Sequence, residues 1–277
     1  MSSMNINVIY ELMILLYSLS VLLYFIDFIQ NNRKVNRTAF WLLSIVWILQ
    51  TVFLVVRMLE TNRFPILTLL EGLYFYAWVL VTFSLVINRL FRMDFFVFFT
   101  NVLGFSFMTL HLLAPNQHFA DTSAERLMSE LAVIHITIAI LSYGAFSISF
   151  ILSIMYLLQY NMLKQKQWGK RLQRLGDLST FEKMAFRFNL IGVPLLLISL
   201  ILGVIWANAK VEQFYLYDAK VIGSFIVLAV YSFILYMKAG KGIQGKQMVT
   251  WNFAAFLIVL INFFLFGSLS NFHIWYP

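Results

Sequence analysis

The chain has 277 residues, 61% of them hydrophobic and only 12% charged, with no cysteine. Soluble domains are about 45–50% apolar and about 25% charged, so a water-soluble fold is excluded. The missing thiols exclude disulfides, iron–sulfur clusters, thiolate zinc sites and covalent haem attachment through the chain's own sulfurs.

A helix needs about 20 apolar residues to cross a bilayer core. Eight runs of that order are predicted as spans, at 8–30, 38–57, 66–88, 95–114, 130–160, 188–209, 219–237 and 248–270. The first has no basic cluster before it and no small-residue cleavage pattern after it, so it reads as a retained span. Its Glu11 and Asp27 lie near opposite ends, where they are expected to reach the interface. Glu71 lies about one turn into the third span. Arg57 and Arg63 are its candidate partners, and an ion pair and a binding role are equally open.

The segment 161–187 is basic, and Leu172, Leu175, Leu178, Phe181 and Ala185 recur every three or four residues. That spacing predicts an amphipathic helix on anionic headgroups, with Ser179 or Thr180 capping the helix into the sixth span. The loop 210–218 packs Phe214, Tyr215, Tyr217 and Asp218 into a few residues. An interfacial aromatic belt is the ordinary reading. Tyr215 and Tyr217 alternate, however, so an extended loop would turn both to one side, a surface able to stack on a planar ligand.

Loops 31–37, 89–92, 164–187 and 238–246 hold 15 of the 20 lysines and arginines. The alternate loops hold Arg57, Arg63, Arg126, Lys210 and Lys220. This bias accounts for the formal charge of +8 without a nucleic-acid partner. It predicts the first set as cytoplasmic and both termini outside. All four histidines then fall on the outer side. His111 ends the fourth span, His118 lies in the next loop, His135 is about one and a half turns into the fifth span, and His273 follows the last. One such histidine alone reads as a solvated polar tip. Four at one boundary point to metal or haem ligation. No nucleophile–base set, phosphate loop or complete metal motif is found, so no catalysis is expected.

Several stretches, in order, resemble the haem-handling proteins of cytochrome c assembly (the CcsA, ResC and CcmC group). They are FPILTLLEGLYFYAW, IHITIAILSYGAFSISFILSIMYL, LIGVPLLLISLILGVIWAN with the aromatic-plus-Asp loop after it, and INFFLFGSLSNFHIWYP. The resemblance covers about 47–276. It implies two axial haem ligands, His135 and His273, with Glu71 at a family glutamate position. Aligned on Asp218, the family's tryptophan-rich WGxxWxWD signature is replaced by Val211, Glu212, Tyr215 and Tyr217. The family's inner pair of membrane histidines aligns with Gln50 and Tyr236, so those ligands are lost. Outer histidines kept, with the signature and inner pair lost, resembles the pattern of the HemX proteins of Gram-positive bacteria, and FPILTLLEGLYFYAW and HITIAILSY look particularly similar to them.

The expectation is therefore an all-α polytopic membrane protein of about eight transmembrane helices, forming one integral membrane domain. The resemblance implies a b-type, non-covalent haem lined by Tyr215, Tyr217, Asp218, Glu71 and Arg57. Arg63, Lys210 and Lys220 are further cations for its propionates, while His111 and His118 are expected at the surface. It also implies a non-enzymatic role in the bacterial cytoplasmic membrane, restraining glutamyl-tRNA reductase abundance through the 161–187 loop, with the reductase or a factor controlling it as partner. A haem transporter or chaperone for cytochrome c assembly is one alternative, and a scaffold without cofactor is another.

Overall fold

The computed structural model describes residues 3–91, 93–113, 130–166, 169, 172, 174, 176–210, 217–266 and 269. Among them are eight α-helices and no strand. The helices are α1 (Ser3–Gln30), α2 (Arg33–Thr61), α3 (Leu69–Phe91), α4 (Asp94–Leu113), α5 (Glu130–Lys164), α6 (Leu178–Lys210), α7 (Ala219–Lys241) and α8 (Lys246–Ile261). A π-helical turn, Asn262–Phe266, continues α8. Seven helices are long and apolar enough to cross a membrane, and the apolar stretch of α4, Phe95–Leu110, is shorter. The chain is an all-helical, multi-pass membrane protein.

The helices fall into two compact units. The first holds α1–α4 and the segment 162–176; the second holds α5–α8. In unit 1, α1 packs on α2 and α4. Asn31, at φ 54, ends α1 in the left-handed region that asparagine tolerates, and the Asn32 side chain accepts from the Lys34 N–H to cap α2. The apolar window of α3 is 67% buried against 28% for α1 and 22% for α2, which makes α3 the core helix. The other two turn Leu15, Leu22, Ile48 and Val55 outward, as helices solvated by acyl chains do.

Polar groups in hydrocarbon must satisfy one another, and here they join helices. The Tyr17 hydroxyl donates to Asn101 Oδ1 at 3.0 Å, and Asn101 Nδ2 donates to the Ser84 hydroxyl at 2.9 Å. A Cβ on Gly104 would lie 2.6 Å from the Tyr17 hydroxyl, so glycine there is what admits the tyrosine.

Asp27 corrects the expectation of interfacial placement. It is 1% exposed and bound in both oxygens by Arg174, at 2.7 and 2.9 Å. Asn36 Nδ2 donates to it at 2.8 Å, and the Arg174 guanidinium lies 4.9 Å from the Phe95 ring centroid. A cation supplied by the distant 162–176 segment lets the carboxylate stay buried.

In unit 2 the apolar window of α5 is 72% buried. Its core face is small and hydroxylated: Ser142, Ala145, Ser149 and Ser153 are all buried, the composition that lets membrane helices approach closely. α6 runs antiparallel to it. Ser142 donates to the Gly192 carbonyl at 2.9 Å, and Ser149 to the Ala185 carbonyl at 2.8 Å. Asn252 of α8 completes the packing, donating to the Ser149 and Ser153 hydroxyls and accepting from Asn189 at 2.9 Å. Asn252→Leu should cost about 1–2 kcal/mol, seen as a lower thermal midpoint of the detergent-solubilised protein.

α6 starts earlier than the run 188–209 suggests. Leu178, Phe181 and Ala185 belong to this one long helix, and Phe181 and Ala185 are buried. Gly176, at φ 102, stands just before it. The helix-starting residue is Asp177, not Ser179 or Thr180. Its carboxylate accepts from both of those hydroxyls, and the Ser179 bond holds its carboxyl below the ordinary aspartate range. Glu182, one turn on, pairs with Lys238 of α7 and accepts the Gly245 N–H at 2.9 Å, tying α6 to the α7–α8 turn.

Candidate functional site

His135 lies in the second turn of α5, half-buried against α6. Its Nδ1 is 2.6 Å from the Ser199 backbone carbonyl. A carbonyl has no proton to give, so Nδ1 carries the hydrogen and the neutral ring keeps its lone pair on Nε2. The Ser199 hydroxyl donates back to the His135 carbonyl at 3.1 Å. Side chain and backbone are thus exchanged in both directions between the two helices.

One turn along α6, Gly203 faces the imidazole. A Cβ there would lie 2.5 Å from Cε1, 2.8 Å from Nδ1 and 3.1 Å from Nε2. The ring therefore fills the space a side chain would take. In the next turn Trp206 and Ala207 pack with Ala132 of α5. The Trp206 indole N–H is buried with no hydrogen-bond partner among the described residues.

Neutral imidazole held through Nδ1–H is the arrangement by which proteins orient a metal-ligating histidine, the carbonyl fixing tautomer and direction. Among the described residues no three His, Asp or Glu side chains gather into a metal-binding group. Haem brings its own four equatorial nitrogens and asks the protein only for axial ligands. The donor at His135 therefore fits haem iron, and the room kept by Gly203 fits the ring that would hold it.

The other expected site residues are placed as follows. His273, Tyr215 and His118 lie outside the described residues, as does the side chain of His111. Tyr217 is described and 71% exposed. Asp218 is buried at the start of α7, where its side chain accepts the Lys220 N–H and caps the helix. Glu71 is held in both oxygens by Arg63, each contact 2.9 Å. Arg57 instead lies 3.6 Å from Glu60, one turn on along α2. Gln50 is fully buried, with its amide nitrogen 3.5 Å from the Met108 sulfur, and Tyr236 is 59% exposed.

Reading the chain by itself did not single out Ser199 and Gly203. A signal was present: in the apolar run LLLISLILGVIW they are the serine and glycine, four residues apart and so on one helical face. What the spacing lacked was any indication that His135 lay opposite.

Comparison with known proteins assigns the chain to a family. The cytochrome C assembly protein family matches residues 66–274. Protein HemX of Bacillus subtilis (strain 168) is 58% identical over 260 residues, covering 94% of each chain. Protein HemX of Brevibacillus brevis is 47% identical, over 97% of this chain and 98% of that one. Cytochrome c biogenesis protein CcsA of Mesostigma viride is 26% identical over 77% of each. With most of its length matched by the family and nearly all of it by these relatives, the chain belongs to the cytochrome c assembly protein family, as a HemX-type member.

Proposed function

We propose that this protein binds a non-covalent, b-type haem through His135 and His273, and that it restrains the abundance of glutamyl-tRNA reductase without itself being an enzyme. The observation that carries the reading is His135, held by the Ser199 carbonyl at Nδ1 and backed by Gly203, so that a neutral Nε2 is offered. When bound, haem supplies an iron centre that two imidazoles would close to further ligands. The absence of cysteine leaves no thiol to attach it covalently. Tyr215, Tyr217 and Asp218, which precede α7, line the same site in this reading. Glu71 and Arg57, haem-lining by the family resemblance, are paired with Arg63 and Glu60.

In this reading the site faces the outer side of the bacterial cytoplasmic membrane, and the charge bias supports both termini outside and 161–187 in the cytoplasm. Restraint of the reductase comes from the resemblance to HemX proteins. In the mechanism we favour, haem binding outside shifts helix packing, and the basic loop carries that change to the reductase or a factor controlling it. Such coupling requires the cytosolic partner to prefer one state over the other.

An assembly-type haem transporter is less well supported. The two positions that would hold its inner ligands carry an amide packed on a methionine and an exposed tyrosine.

The purified protein supplied with haem should show a Soret band of low-spin form, and His135→Ala and His273→Ala should each lose it. No band from the wild type would leave a scaffold without cofactor. In cells, reversing the charge of Lys164, Lys166, Lys170 and Arg171 should raise reductase abundance on immunoblots. Unchanged reductase would remove the loop from the mechanism.

A further inference from the structure

Lys220 is the second residue of α7, behind the Asp218 cap. A helix N-terminus carries partial positive charge and opposes a cation there. Lysines at the ends of spans ordinarily run outward to the headgroups, but this one turns inward. Its Nζ donates to the Asn262 backbone carbonyl at 2.8 Å and lies 5.6 Å from the Phe263 ring centroid. Asn262 opens the π-helical turn after α8, and its amide donates to the Tyr143 hydroxyl at 3.0 Å and the Ser224 hydroxyl at 3.2 Å. Three elements thus meet at one ammonium: α5, α7 and the end of α8.

No carboxylate among the described residues forms an ion pair with Nζ. The carboxylate two residues earlier, Asp218, accepts the Lys220 backbone N–H at 2.9 Å. An ammonium has three donors, and Asn262 fills one. A cation drawn out of water is costly unless an anion completes it, so the arrangement is that of a half-made site.

Lys220 and His135 belong to the same compact unit. Tyr143, which meets Lys220 through Asn262, follows His135 on α5 by eight residues, about 12 Å of helix rise. We propose that Lys220 anchors a carboxylate of the tetrapyrrole ligated by His135, an inference that rests on the haem reading above. The macrocycle is apolar over most of its edge and carries its two propionates on one side. A single inward cation therefore decides which edge enters the unit, and it selects diacid tetrapyrroles over esterified or decarboxylated ones.

The test is a titration of wild type, Lys220→Met and Lys220→Arg with haem and with haem dimethyl ester, in nanodiscs of zwitterionic phosphatidylcholine. A hydrogen bond between charged groups implies that wild type prefers the diacid by about ten- to hundredfold. Lys220→Met should bind both forms alike, at the affinity of the ester, and Lys220→Arg should recover part of the preference. Without haem, Lys220→Met should melt no lower than wild type, because it removes a buried cation that no carboxylate touches directly among the described residues. An unchanged diacid preference in Lys220→Met overturns the proposal. A lower melting point joined to an unchanged preference makes Lys220 a purely structural contact and equally overturns it. Phosphatidylglycerol nanodiscs that stabilise wild type but not Lys220→Met, with no diacid preference, would assign the cation to a lipid headgroup instead. Should neither haem nor its ester bind the wild type, the haem reading itself fails and the anchor with it.

Discussion

Gly203→Ala is expected to weaken haem binding by about ten- to hundredfold, the range seen when the groups that orient a metal ligand are disturbed. The added methyl would sit 2.5 Å from Cε1 of His135, so the ring must leave its place. Displacement breaks the bond from Nδ1 to the Ser199 carbonyl and frees the imidazole to turn. Alanine favours helix more than glycine by about 1 kcal/mol, so α6 itself is not expected to suffer. Ser199→Ala is the milder companion. It removes the hydroxyl that donates to the His135 carbonyl but keeps the backbone carbonyl that holds Nδ1, and its loss should be well below that of Gly203→Ala. Absorption titrations of the two variants beside the wild type would rank them. If Gly203→Ala binds haem as tightly as wild type, the contact between α5 and α6 does not position the ligand.

Breaking the Asp27–Arg174 pair should have the largest effect on folding. Arg174 is 9% exposed and Asp27 1%, so each would be left as a charge without its partner in a poorly hydrated place. Removing one member of such a pair costs about 3–5 kcal/mol. Asp27→Leu and Arg174→Met should each lower the unfolding midpoint in detergent by that order and expose the 162–176 segment to protease. The double variant should recover most of the loss, because replacing both charges by apolar groups is often neutral or better. Single variants that unfold like wild type would mean that this segment is not anchored through Arg174. The surface pair Arg57–Glu60, spaced one helical turn apart, is a contrast: its contribution should be within about 0.5 kcal/mol.

These two effects also mark where reading the chain alone stopped. The eight apolar runs correspond to the eight helices because crossing a bilayer forces about 20 apolar residues into one continuous stretch, a local property. The start of α6 could not be placed that way, since Leu178 and Phe181 already belong to the helix although polar residues break the apolar run there. The partner of Glu71 was among the two arginines named as candidates because Arg63 is only eight residues away. Asp27 was misplaced because its partner is 147 residues distant.

His135 was legible as a candidate ligand from its residue type and its family position. That its proton sits on Nδ1 was not, because the tautomer is set by a carbonyl 64 residues away. Ser199 and Gly203 each look ordinary within an apolar helix, and only the antiparallel packing of α5 on α6 turns them into the seat of an imidazole. By itself the chain determined that it is helical, crosses a membrane repeatedly and carries the histidines of a haem-handling family, since hydropathy and motif are written residue by residue. Tertiary structure alone decided which buried charges are compensated and which way His135 presents its nitrogen. Both depend on groups that meet through space, and neither the strength of an ion pair nor the direction of a hydrogen bond has any meaning before they do.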